Sequence, residues 1–218
     1  MTLAIFDLDN TLIAGDSDHL WGDWLVEKGI VDQQHYKDTN DQFYVDYQNG
    51  RLDIMAYLRF SLNVLAEHDM AQLHFWREQF LAEKLDSMWL PKAEALLQKH
   101  RDQGHTLMII TATNHFVTKP IATSLGVDTL LATEIVSSEQ GIGNKIQGIP
   151  CFQAGKVHRL NTWLEDQPYD LQGSFFYSDS INDVPLLEVV DHPIAVDPDE
   201  RLNALFIERN WPVISLRD

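Results

Sequence analysis

The first apolar run of the chain, Leu3-Ala4-Ile5-Phe6, leads straight into Asp7-Leu8-Asp9-Asn10-Thr11-Leu12. Alternate side chains of an extended segment share a face, so Asp7 and Asp9 lie on one side and Leu8 on the other. Two like charges that close shift each other's pKa unless a cation sits between them. Hard carboxylate oxygens suit Mg2+, which takes one or two protein carboxylates and leaves its other positions to water and phosphate. A carboxylate beside such an ion can also attack phosphorus. Taken alone, the segment has a plain alternative, a solvated acidic turn after an edge strand.

Three later positions repeat the theme. Thr111 ends the apolar run Ile109-Ile110, with the small Ala112 beside it. A hydroxyl there, with backbone N–H groups at the start of a following helix, can meet a phosphate, or simply cap that helix. Lys156 follows the Gly155 turn and opens a helical stretch, where its ammonium can neutralise both a phosphate and Asp7. Ser178-Asp179-Ser180-Ile181-Asn182-Asp183 follows Phe175-Phe176-Tyr177. Here a second acid pair lies just past an apolar run, able to complete a cation site opposite Asp7 or to serve as a capping loop. Each feature has a bland explanation. Their conjunction, in order, at strand ends and helix starts, favours one site.

The elements that would position these residues alternate. Leu3–Leu8, Leu107–Ile110 and Ser174–Tyr177 read as buried strands, with Pro193–Val196 and Val213–Leu216 as weaker ones. Phe116–Leu125 and Val157–Glu165 read as helices between them. Alternation of this kind gives right-handed crossovers and an α/β fold, a doubly wound, Rossmann-like parallel sheet whose ligands sit beyond the carboxyl ends of the strands. Residues 16–88 break the rhythm. They contain apolar residues at helical spacing and no convincing strand: Leu20-Trp21-Trp24-Leu25, Phe43-Tyr44-Tyr47, Ile54-Tyr57-Leu58-Leu62 and Leu73-Trp76-Phe80-Leu81. The expected organisation is an α/β core of residues 1–15 and 89–218 with an α-helical cap, residues 16–88, inserted after the first strand. The aromatic residues of that segment are expected to pack in its core. Pro91–Gln103 should form a helix closed by Gly104. Glu134–Val136 and Lys145–Ile149, joined through Gly141-Ile142-Gly143-Asn144, suggest a β-hairpin.

Composition narrows the partners. Of 218 residues, 16 are Lys or Arg and 33 Asp or Glu, a net charge of −17. That argues against nucleic acid and anionic membrane as partners, which need a basic footprint. It leaves a small phosphate ester open, because a metal and local cations can reverse the field at one site. The single cysteine, Cys151, forms neither an internal disulfide framework nor a Cys-based metal site. Met1-Thr2 runs directly into the first strand, leaving no room for a signal peptide, and no apolar run approaches the length of a membrane span. The expected compartment is the cytoplasm, and the expected state a monomer or homodimer. The nine histidines show no metal-ligand spacing and are read mostly as surface, with His115 close enough to Thr111 to watch.

The four constellations, in this order and over nearly the whole chain, resemble the haloacid dehalogenase-like hydrolases. Asp7-Leu8-Asp9-Asn10-Thr11 looks like the first motif, Thr111 the second, Lys156 the third and Asp179 to Asp183 the fourth. The helical insertion resembles the cap of the phosphoserine-phosphatase-like branch. The resemblance implies that Asp7 is a nucleophile forming an aspartyl-phosphate and that Asp9 is the general acid and then the base. It implies Mg2+ held by Asp7, Asp9 and Asp179, with Asp183 on metal-bound water. Thr111, Ala112, Lys156 and Asn182 would bind the phosphoryl group. The chain departs from that branch in three places. Ser178 replaces a glycine before the fourth motif, Thr111-Ala112-Thr113 replaces a serine followed by glycines, and Asp16 stands where a glutamate reads the substrate amine. Asp16 and Arg59 are the expected specificity residues, Asp16 toward an amine and Arg59 toward a carboxylate, the alternative for Arg59 being a solvated helix arginine.

The expected function is hydrolysis of a small phosphorylated metabolite, an amino-alcohol or amino-acid phosphate such as a histidinol-phosphate-like or phosphoserine-like ester. A phosphotransferase would use the same chemistry with an alcohol in place of water. A receiver-like phosphate-binding module also clusters Asp, Thr and Lys, but places its acceptor on a middle strand and lacks an insertion of about seventy residues.

Overall fold

The computed structural model describes residues 2–127 and 129–217. Met1, Asp128 and Asp218, which fall within the expected 1–15 and 89–218 core, lie outside them. Six strands form one parallel sheet in the order β3-β2-β1-β6-β7-β8: β1 (Leu3–Phe6), β2 (Thr106–Asn114), β3 (Thr129–Thr133), β6 (Phe175–Ser178), β7 (His192–Val196) and β8 (Val213–Ile214). The chain winds outward from β1 through β2 and β3, then returns to place β6 on the other side of β1. The winding direction therefore reverses at β1, and the crevice that such a reversal opens lies at its carboxyl end, where Asp7 stands.

All four residues of β1 are fully buried, as a central parallel strand covered on both faces requires. Its alternation sorts two cores. Leu3 and Ile5 join Leu160, Phe176, Leu186 and Phe206 on one face, under α7 (Ala154–Glu165), α8 (Val184–Leu187) and α9 (Glu200–Arg209). Ala4 and Phe6 join the other face, with Leu97 of α5 (Pro91–Asp102) and Val117 of α6 (His115–Ser124).

Four helices occupy the chain between β1 and α5: α1 (Ser17–Glu27), α2 (Gln33–Gln48), α3 (Ile54–Ala66) and α4 (Met70–Met88). Each starts at an aspartate, Asp16, Asp32, Asp53 and Asp69, whose side chain accepts hydrogen bonds from free backbone N–H groups of the first turn. Part of the acidic excess thus serves helix starts, where a carboxylate also meets the positive end of the helix dipole. The apolar cluster of Phe6 runs without a break into Trp24, Leu62, Leu73 and Phe80, so α1, α3 and α4 share a core with one face of the sheet.

Strand β3 has no counterpart in the sequence reading. Its Leu130-Leu131-Ala132 is short and follows helix α6 closely, so periodicity gives it little support. The hairpin is present as β4 (Ile135–Ser138) and β5 (Gly141–Ile146), but its turn is Glu139-Gln140 rather than the glycine pair. Gly141 instead opens β5 against α3, where a Cβ would come within 3.3 Å of the His68 carbonyl oxygen, and Ile142 enters the core.

Gly155 sits in the first turn of α7 immediately before Lys156. A Cβ there would come within 2.1 Å of the Pro150 carbonyl oxygen, so only glycine lets the chain return this tightly. Gly155→Ala is expected to lower unfolding stability by roughly 1–3 kcal/mol, the usual cost of forced overpacking, read as a shift in the denaturation midpoint.

Candidate active site

Asp7 leaves β1 with its backbone N–H donating to the Tyr177 carbonyl at 2.9 Å. The chain then turns sharply. The Leu8 carbonyl accepts from Leu12 N at 2.9 Å, and Asn10 takes a left-handed φ of 58°. Leu12 and Ile13 are driven into the core by this turn, and their burial holds Asp7 and Asp9 at the crevice.

Lys156, 2% exposed, reaches from α7 to both acid pairs. Its Nζ lies 2.8 Å from Asp7 Oδ1 and 2.7 Å from Asp183 Oδ1. Asp183 Oδ2 accepts a 2.6 Å hydrogen bond from the Ser178 hydroxyl. Both Asp183 oxygens thus meet donors, and Asp183 anchors the lysine. Ser178, the residue in the expected glycine position, supplies part of that anchor. The two carboxylates hold the Lys156 ammonium well above its ordinary pKa despite burial.

Asp7 Oδ2 is buried and has no hydrogen-bond partner. Burial pushes the Asp7 carboxyl up to about 7, against the pull of Lys156. Asp179 lies across the crevice and exchanges hydrogen bonds with Thr11. The Thr11 hydroxyl donates to Asp179 Oδ1 at 3.2 Å and accepts from Asp179 N at 3.1 Å. Burial, then the charge of Asp7, raises its carboxyl well above the ordinary range. A bare buried carboxylate oxygen with a second, half-buried acid near enough to feel its charge is a donor set a hard dication satisfies, so the residues fit Mg2+.

Asp9 points toward β2. Its Oδ1 accepts from Ser17 N at 2.7 Å, and its Oδ2 from the Thr113 hydroxyl at 2.8 Å and the Thr111 hydroxyl at 3.4 Å. Burial, then the nearby Asp16 charge, raises it to about 6. A carboxyl tuned toward neutrality suits proton transfer to and from oxygen. Thr113, Ser17 and Thr11 were not singled out from sequence. Their signal, hydroxyls in or near the motif loops, is common in any loop.

The cavity over Asp7 and Asp9 is roofed by α1, α2 and α3. Asp16, Asp18, His19, Tyr44, Tyr47 and Tyr57 line it, with Thr111 and Ala112 near its floor. The cavity is partly open to solvent and offers about 50 Å3 to water-sized molecules. The aromatic residues of α2 and α3, expected in a core, include cavity walls. The sequence cannot distinguish the two because either use places rings at helical spacing.

Of the other expected positions, Ala112 and Asp16 line the cavity and Asn182 and Arg59 do not. Ala112 offers its carbonyl to the Thr133 hydroxyl at 2.7 Å. Asn182 faces the helices rather than the crevice floor. Its Nδ2 donates to the Tyr47 carbonyl at 2.9 Å and its Oδ1 accepts from Gln153 at 3.0 Å. Arg201 Nη1 donates to the Asn49 carbonyl at 2.7 Å nearby, so two core residues hold the end of α2. Arg59 is exposed on α3 and does not line the cavity, because its neighbour Leu58, not Arg59, falls on the buried stripe. Asp16 lines the cavity, but its Oδ1 accepts from the N–H groups of Asp18 and His19 at 3.0 and 2.9 Å. His115 is half-buried at the start of α6, with its pKa lowered chiefly by burial. His100, expected at the surface, is buried and bonded to the Tyr177 hydroxyl at 2.9 Å. Among the described residues, His19, Asp23 and Asp41 lie close enough together to ligate an ion. Lys37 Nζ already sits 3.4 Å from Asp23 and 3.3 Å from Asp41, so that group reads as a salt-bridge network.

The family model of haloacid dehalogenase-like hydrolases matches residues 4–188, and the chain belongs to that family. Among its relatives is a histidinol-phosphatase of Neisseria meningitidis, 41% identical, the alignment covering 99% of each chain. Phosphoserine phosphatase SerB1 of Mycobacterium tuberculosis is 30% identical, over 98% of this chain and 70% of that one. A solved Bordetella pertussis protein of unknown function superposes with a TM-score of 0.92 at 38% identity, covering 99% of this chain and 100% of the other. A substrate-bound phosphoserine phosphatase shares the fold, with a TM-score of 0.72 at 15% identity over 100% and 94% of the two chains. The expected α/β class and the likeness to the phosphoserine-phosphatase-like branch both hold. No helix among the described residues is long and apolar enough to cross a membrane.

Burial raises the Asp18 carboxyl to about 7. A folded-state pKa above the unfolded value of 3.8 gives stability that is complete below pH 3.8 and is lost as pH rises through about 7. Asp18→Asn removes that burden. Its melting temperature is expected to exceed that of the parent by about 3 K or more at pH 8, with a smaller gap at pH 5, measured calorimetrically without ligand.

Proposed function

We propose that the protein is a Mg2+-dependent phosphomonoesterase that hydrolyses a small amino-alcohol phosphate of the histidinol phosphate kind. The observation that carries the substrate class is the cavity wall. Four carboxylates, Asp7, Asp9, Asp16 and Asp18, and no Lys or Arg line it. A ligand with phosphate at one end and a cation at the other suits such a space. A phosphoserine-like ester also bears a carboxylate, which would find no cation in that lining, and Arg59 lies elsewhere. The name of the Neisseria relative supports the same choice.

In this reading Asp7 attacks phosphorus through a carboxylate oxygen and becomes an aspartyl-phosphate, while Asp9 donates its proton to the departing alkoxide. Asp9 then takes a proton from water as that water releases phosphate from Asp7. Asp7, Asp179 and the Asp9 backbone carbonyl would hold Mg2+, which offsets charge on the phosphoryl oxygens when bound. Lys156 holds Asp7 in place and adds a second positive charge, and Thr111 and the backbone after it face the phosphoryl group. Transfer of this type needs alignment and charge neutralisation above all. Thr113 keeps the Asp9 carboxyl aimed.

Purified protein should hydrolyse p-nitrophenyl phosphate with Mg2+ and lose that activity in EDTA. Asp7→Asn should lower kcat by about a thousandfold or more with the melting curve intact; retention of most of the rate overturns the aspartyl-phosphate step. Across a panel of amino-alcohol, amino-acid and sugar phosphates, kcat/KM should be highest for amino-alcohol phosphates. A preference for sugar phosphates overturns the substrate assignment. Stoichiometric release of inorganic phosphate in the presence of added alcohols separates hydrolysis from phosphotransfer.

A further inference from the structure

Resting on the amino-alcohol phosphate reading, we propose that Asp18, rather than Asp16, is the specificity-determining carboxylate that receives the substrate's ammonium. The two aspartates share the first turn of α1 but are used differently. Asp16 Oδ1 is committed to two backbone N–H groups of that turn, the work of a helix cap. Asp18 has no backbone partner. Its Oδ1 accepts from Asn114 Nδ2 at 3.4 Å, a long contact that crosses from α1 to the end of β2, and the Tyr57 hydroxyl faces it from α3. The residue is only 9% exposed, yet it lines the cavity. Among the described residues neither aspartate has an ion-pair partner.

A carboxylate this buried is poorly solvated, and the molecule supplies it only neutral donors. A bound ammonium completes its coordination in a way that neither Asn114 nor Tyr57 can. The remaining lining is accounted for. His19 is tied to Asn40 at 3.1 Å and stacks on Tyr44 with ring centroids 4.4 Å apart. That stack, with Tyr57, gives the ammonium aromatic neighbours and a planar side group a surface to lie on. Asn114 also caps α6 through its Oδ1, which accepts from Val117 N at 3.2 Å. The Asp18 orientation is therefore fixed from the sheet side, and Asn114 is a positioning residue.

The test compares kcat/KM for L-histidinol phosphate with that for the same ester lacking the amino group. The wild-type ratio is expected to be well above ten. Asp18→Asn should lower the ratio at least tenfold, Asn114→Ala about threefold or more, and Asp16→Asn, which retains a capping oxygen, less than twofold. A wild-type ratio near one overturns the substrate reading on which the inference rests. A high wild-type ratio that survives Asp18→Asn overturns the assignment of Asp18 and leaves that reading standing. Loss of the ratio in Asp16→Asn alone moves the assignment to Asp16. If Asp18→Asn does not fold, as judged by circular dichroism, Asn114→Ala decides, and an unchanged ratio there overturns the proposal.

Discussion

Lys156 is a full positive charge held 2% exposed between Asp7 and Asp183, and the architecture of the site follows from that burial. A buried ammonium is tolerable only when it is paired and its protons are satisfied, and removing one partner of such a pair costs about 3–5 kcal/mol. Three elements must therefore meet at fixed distances: the end of β1, the first turn of α7, and the loop after β6. Gly155 lets α7 begin close enough for the lysine to reach. Ser178 ties Asp183 down by its second oxygen. The lysine meets Asp7 through one oxygen only and leaves Oδ2 of the proposed nucleophile bare, which is the condition under which that oxygen can meet a metal or a phosphorus atom.

Around this pair the acids are graded by surroundings. Asp9 has hydroxyl and N–H donors and sits nearest to ordinary behaviour, at about 6. Asp7, Asp16 and Asp18 are pushed further, to about 7, each chiefly by burial. A chain with a net charge of −17 thus concentrates poorly solvated carboxylates at one crevice. Such an arrangement opposes stability and is retained where a cationic ligand offsets it. The two ends of the cavity differ in what they lack. In the proposed reading the floor takes a dication and a phosphate, and the roof, at Asp18, a single positive charge.

The helices over the crevice bear on both stability and access. Trp24, Leu62 and Phe80 continue the core under Phe6, so α1, α3 and α4 are bound to the sheet by apolar contact. The end of α2 is held differently, by the Asn182 and Arg201 hydrogen bonds to Tyr47 and Asn49. Polar contacts with solvent nearby are weaker than a shared apolar core. Along its length α2 also packs on α3 by aromatic contact, Tyr36 on Phe60 with ring centroids 4.5 Å apart and Phe43 on Tyr57 at 5.4 Å.

The sequence by itself determined the class of fold and the family, and placed the acids and the lysine at strand ends and a helix start. Asp7 and Asp9 after an apolar run, Lys156 after a glycine, and Asp179 with Asp183 after a second run are local patterns, and local patterns survive in one dimension. The helical character of residues 16–88 was legible for the same reason, through its spacing of three and four. What tertiary structure alone decided is which partner each polar group meets. Asp183 turned to Lys156, Asn182 to the helices, Arg59 to solvent and His100 to Tyr177, because those outcomes depend on contacts between residues distant in sequence. Thr113 acquired its place beside Asp9 across 104 positions of chain. Asp16 and Asp18 are two residues apart and chemically identical. Only the helix start at Ser17, which claims the first for a cap, and Asn114 on the sheet, which orients the second, give them different surroundings.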